Sequence, residues 1–247
     1  AACTEGADGR ITSWFDSASY GYMAGDASDP EVYRGAIRKF ERGILFIKPA
    51  FVAISDRIEP SDKSASCDWL LHAIAPVELD GHGSFVIDRP QAALRGRFLQ
   101  PDEAKLDITT GFPAEPVNRY SRDPVPKDKY FPEWTLHAKS PAAGARQDFS
   151  VVMQVQRKGE KPQPPATIEP MAARGALGAR VSVAGKTHLI LWRSDESPAI
   201  VAAGPLETDG ACATLELDPT GMPVAGFIAH GTSLRYNGRN LIQLKTP

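Results

Sequence analysis

Six side chains in the first third of this chain have the types and spacing to do chemistry: His72, Tyr20, Tyr22, Arg34, Arg38 and Arg42. The imidazole of His72 changes charge near neutral pH, so it can take up or deliver a proton; a histidine in a strand can equally be a hydrogen-bonded brace. Tyr20 and Tyr22 stand two residues apart, which puts both rings on one face of a strand, where they can stack on a flat ligand or simply pack. Arg34, Arg38 and Arg42 recur every four residues. If the segment is a strand, that even spacing makes a basic row suited to carboxylates, or a solvated face paired with acids. The other histidines, His82, His137, His188 and His230, are scattered singly and read as structural or surface residues.

These residues are positioned by Arg34 to Ile74. Ile44-Leu45-Phe46-Ile47 and Phe51-Val52-Ala53-Ile54 are short apolar runs separated by Lys48-Pro49-Ala50. Runs this short, bounded by turn residues, predict strands buried on both faces, and Pro49 predicts a tight hairpin between them. A third strand should follow, with Trp69, Leu71 and Ala73 on one face and Asp68, Leu70, His72 and Ile74 on the other. Asp56-Arg57 reads as an ion pair at the edge of this core. Asp26, in Gly25 to Pro30, reads as a turn residue bonded to nearby amides.

The rest of the chain is strands and turns at short, even spacing. Strands are predicted at Arg10 to Asp16, Ser19 to Ala24, Ser84 to Ile87, Ala93 to Leu99, Lys105 to Thr109, Trp134 to Ala138 and Phe149 to Gln156. A closing meander runs from Ala179 to Leu244, with Asn237-Gly238 the clearest hairpin turn. Phe112 to Trp134 and Lys158 to Pro170 are rich in proline and predict surface loops. The fold class is therefore all-β: an antiparallel β-sandwich, large enough to form a supersandwich, with proline-rich surface loops. Residues 1–111 form its first part, 112–133 a proline-rich loop, and 134–247 the second part of the same domain.

Composition narrows the function. A formal net charge of −2 over 247 residues argues against a broad nucleic-acid-binding surface. No stretch approaches the ~20 apolar residues of a membrane span. Cys3, Cys67 and Cys212 lack the spacing of a zinc site, and no glycine-rich run opens a helix to cradle phosphate.

Tyr20-Gly21-Tyr22-Met23-Ala24-Gly25-Asp26-Ala27-Ser28, then Arg42 through Pro49, then Asp56-Arg57 and Trp69-Leu70-Leu71-His72 resemble the β-domain of heparinase II/III-like polysaccharide lyases. A weaker likeness reaches Gly231-Thr232-Ser233-Leu234. The resemblance implies a lyase that cleaves an acidic, uronate-containing polysaccharide by β-elimination, outside the cytoplasm or in the periplasm. In that family the catalytic groups, and the metal site of some members, come from a helical toroid and a His-rich segment at the start of the β-domain. No histidine precedes His72 here, so neither catalytic nor metal residues are carried over, and no cofactor is expected. The expectation is a C-terminal portion, inactive without an N-terminal toroid domain, whose His72, Tyr20, Tyr22, Arg34, Arg38 and Arg42 contact substrate. The alternative is a non-catalytic extracellular β-module that binds glycan or assembles with copies of itself.

Overall fold

A computed structural model describes residues 8–102, 104–111, 133–140, 144–159, 164–194 and 199–244, and among them every regular element is a strand. The predicted hairpin lies near the middle of an eight-stranded antiparallel sheet. Its strands are β1 (Arg10–Asp16), β2 (Tyr20–Asp26), β3 (Ile37–Ile47), β4 (Phe51–Pro60), β6 (Val77–Gly81), β7 (Ser84–Asp88), β8 (Ala92–Gln100) and β11 (Gln147–Arg157). Their order is β1-β2-β3-β4-β11-β8-β7-β6. Ile47 pairs with Phe51 across the Lys48-Pro49-Ala50 turn.

Alternation along β3 and β4 explains why nearly every residue of the hairpin is apolar. Leu45, Ile47, Phe51 and Ala53 point into one core, while Phe40, Val52, Ile54 and Ile58 point into another on the opposite face. A sheet covered on both faces needs apolar residues at both parities.

The second core is closed by a separate three-stranded sheet of β5 (Asp68–Ala73), β9 (Lys105–Thr110) and β10 (Trp134–Lys139), in the order β5-β10-β9. Trp69, Leu71 and Ala73 face that core, as their spacing predicts. This third strand does not join the hairpin's own sheet: β11 pairs with β4, and β5 crosses to the other layer.

The first core is closed by a five-stranded sheet of β12 (Thr167–Met171), β14 (Ala176–Val183), β15 (Lys186–Arg193), β18 (Cys212–Leu217) and β19 (Pro223–Ala229). A second five-stranded sheet packs on its outer side, made of β13 (Ala173–Arg174), β16 (Val201–Ala203), β17 (Leu206–Thr208), β20 (Ser233–Tyr236) and β21 (Arg239–Gln243). The result is four stacked sheets with three apolar cores between them. The predicted closing meander is thus two sheets that the chain visits in turn. Asp209 ties the crossings together: Thr232 donates to it from its amide (2.8 Å) and hydroxyl (2.6 Å), and the Ser233 amide donates at 2.8 Å. Burial alone would raise the Asp209 carboxyl, but these donors hold it below its ordinary range.

One loop expectation needs revision. Thr167–Met171, assigned to the second proline-rich loop, is an edge strand that accommodates Pro170. Of the first such loop, residues 112–132 lie outside the described residues.

Candidate functional site

Between the central sheet and the sheet of β14, β15, β18 and β19 opens a cleft of about 420 Å³. Arg10, Arg42, Arg57 and Arg146 line it from the central-sheet side, and Arg193 and His230 from the other. Tyr22 and Trp192 form its floor. A bulge between Ile11 and Ser13 turns Arg10 toward this side of β1, opposite Asp26. Trp192 fits because β3 carries a glycine beneath it: a Cβ on Gly43 would lie 2.6 Å from the indole.

Five arginines face four carboxylates, Asp26, Glu41, Asp56 and Asp148, among the described lining. Arg10 donates to Asp26 at 2.9 Å, and Arg146 donates to Asp148 at 2.8 Å through Nε. Asp26 also accepts the Ser28 amide; that hydrogen bonding, chiefly with Ser28, lowers its carboxyl, as a turn residue should. Arg193 instead clamps the loop before β18, donating to the carbonyls of Asp209, Gly210 and Ala199. The cleft is therefore mildly positive, and its most exposed arginine, Arg10, is held only by a surface pair of the kind that exchanges readily for another anion.

The predicted site residues do not form one site. Tyr22 lines the cleft, and its ring lies edge-on to His230 at 6.1 Å. Its hydroxyl is raised by burial and by the nearby Cys212 thiol, which keeps it protonated. Tyr20 is buried in the same core, where burial and then the charge of Glu216 push its hydroxyl up to about 12.

The arginine row is broken. Arg34 sits in the turn before β3 at a φ of 52°, Arg38 falls at a bulge and pairs with Glu59, and only Arg42 reaches the cleft. The physical reason is that Asp29-Pro30 starts a turn that runs to Ala36, so the strand period applies only from Ile37. The pairing of Asp56 is corrected likewise. Its partner is Arg42, across the sheet on the face of the second core, while Arg57 points to the cleft side and approaches Glu59.

His72 is elsewhere altogether. It lies on the outer face of the three-stranded sheet, where its Nδ1 meets Glu133 at 2.7 Å and Thr135 at 3.2 Å. Sequence reasoning missed Arg10, Arg57, Arg146, Arg193 and His230, which come from five separated segments with no shared spacing. Among the described residues no group of three or more His, Cys, Asp or Glu side chains is placed to hold a metal ion. No helix among them is long and apolar enough to cross a membrane.

No protein-family model and no curated protein matches this sequence. Solved structures do. The BT4657 gene product, a heparinase III, superposes with a TM-score of 0.50 at 12% identity, covering 75% of this chain. The chain shares the fold of part of heparinase III. Heparan sulfate lyase HepC from Pedobacter heparinus is also similar, with a TM-score of 0.48 and 17% identity over 76% of this chain. The chain spans 28% of the length of each. The likeness expected from Tyr20 to Ser28 and Arg42 to Pro49 thus holds at the level of fold.

Proposed function

We propose that this chain is the C-terminal β-sandwich portion of a heparinase II/III-like polysaccharide lyase. The whole protein would cleave an acidic, uronate-containing polysaccharide by β-elimination, outside the cytoplasm or in the periplasm, and the arginine-lined cleft would bind a stretch of that polymer. The observation that carries this reading is the cleft itself: five arginines and His230 gathered around Tyr22 and Trp192, on a fold shared with heparinase III. Guanidinium forks match carboxylates in geometry and charge, and flat aromatic rings suit the C–H faces of sugars.

Elimination further needs a base for the proton beside the carboxylate and an acid for the departing oxygen. Tyr22 is held protonated by its burial, and His72 lies on a different face. In this reading those proton-transfer groups belong to an N-terminal helical toroid domain, and the chain alone is inactive. The test compares these 247 residues with the full product of their gene on heparan sulfate and other polyuronates. The unsaturated product, followed by its ultraviolet absorbance, is expected from the longer protein only. The shorter one should bind the polymer in a salt-sensitive way. Failure of both would end this reading.

A further inference from the structure

We propose that β1, the open edge of the eight-stranded sheet, pairs with β1 of a second copy of this chain, so that two sheets become one across a two-fold axis. The proposal does not rest on the lyase reading.

Strand β1 is paired on one side only, by β2, so a row of its amides and carbonyls faces outward. Such edges are commonly blunted by charge, and the far edge of the same sheet is: β6 is five residues long and carries Glu78 and Asp80. In β1 the charges stand only at the ends, Arg10 and Asp16, around Ile11-Thr12-Ser13-Trp14-Phe15. Its apolar side chains are also bare. Trp14 is 76% exposed, Ile11 66% and Phe15 44%, and neither Ile11, Trp14 nor the adjacent Met23 belongs to any of the three cores.

The register selects a second copy as the occupant. Because of the bulge, Ile11 and Trp14 lie opposite Gly25 and Met23, and so share one face although they are three apart. Arg10 and Phe15 lie opposite Asp26 and Tyr22 and share the other. An antiparallel copy centred between Thr12 and Ser13 sets each Trp14 against the other's Ile11 and each Phe15 against the other's Arg10, as a two-fold axis requires. Bulge then faces bulge, so the residue count between these pairs is the same on both strands. Aromatic residues pair well with β-branched ones across strands, and a guanidinium beside a ring adds to the match. The axis is perpendicular to the sheet, so the clefts that contain Arg10 open on the same side of both copies.

Sedimentation velocity of the 247-residue chain, from about 1 to about 300 µM, tests this. A reversible dimer is expected with a Kd on the order of 10 µM, since pairing one short strand buries less than a standard interface. Trp14→Lys and, separately, Ile11→Lys should each raise that Kd about tenfold or more with little change in melting temperature, because both side chains are exposed. Leu79→Lys, on β6, should leave it unchanged. A monomer at every concentration, or a dimer that survives both β1 variants, would overturn the proposal. So would a monomeric full gene product, in which upstream chain would cover β1 instead.

Discussion

Arg42 stands directly across from Asp56 on the neighbouring strand and grips both carboxylate oxygens, Nε at 2.6 Å and Nη2 at 2.5 Å. The aspartate side chain is fully buried, whereas the arginine is 40% exposed. Burial pushes the Asp56 carboxyl up, against the pull of the Arg42 bonds. The pair therefore joins β3 to β4 on the face of the sheet that Phe40 and Ile58 share, with the Arg42 guanidinium over the Phe40 ring. Removing only the arginine strands a buried carboxylate.

Arg42→Ala should cost about 3 kcal/mol of stability, measured by urea unfolding, and Arg42→Met with Asp56→Leu should recover most of it. A normal unfolding midpoint for Arg42→Ala would show that the pair is not structural.

His188 sets a pH dependence whose sign follows from its burial. Its folded-state pKa is lowered chiefly by desolvation, with Lys186 adding to the effect and Glu216 opposing it. Below the ordinary imidazole value of about 6.5 the unfolded chain binds a proton that the folded chain resists. Stability should therefore fall as pH drops through that value, then level off below the folded pKa. His188→Phe should flatten this stretch of the curve. An unchanged pH profile in that variant would assign the loss to other groups.

Gly43→Ala tests the packing beneath the cleft. The added methyl would sit 2.6 Å and 3.0 Å from two atoms of the Trp192 ring, which is itself buried. Overpacking of this kind costs ~1–3 kcal/mol, and the Trp192 fluorescence should shift as the ring is displaced. A silent substitution would mean that the sheets separate easily.

The cleft and the outer histidine can be separated by mutation. Arg10→Ala should weaken polyuronate binding several-fold, and most clearly at low salt, with little change in melting temperature, since its exposed pair with Asp26 adds little to stability. His72→Ala should leave that binding as it was. The opposite pattern would move the site to the outer face of the three-stranded sheet.

Much of the fold was legible because local pattern and tertiary role agree in it. The apolar runs at Ile44 to Ile47 and Phe51 to Ile54 mark a hairpin with a core on each face, and the parity of Trp69, Leu71 and Ala73 marks their inward side. Less legible was which sheet a strand joins: nothing in the local pattern of β5 or β11 says that β11, and not β5, pairs with β4. Short strands such as Leu206–Thr208 and Ala173–Arg174 carry too few residues to show a period. The cleft was the least visible feature. Its arginines lie at positions 10, 42, 57, 146 and 193, and only the stacking of sheets brings them together.

Strand β15 has no idle side chain. Leu189 and Leu191 serve the outer core, Ile190 and Trp192 the inner one, while His188 lines a small cavity at one end and Arg193 the cleft at the other. Inserting or deleting a single residue within it would swap these allegiances, sending leucines to the cavity side and the histidine into aliphatic packing. Length variation among homologues should therefore be confined to the Ala184-Gly185 tip and the segment after Arg193, leaving β15 itself invariant in length even where its sequence has drifted.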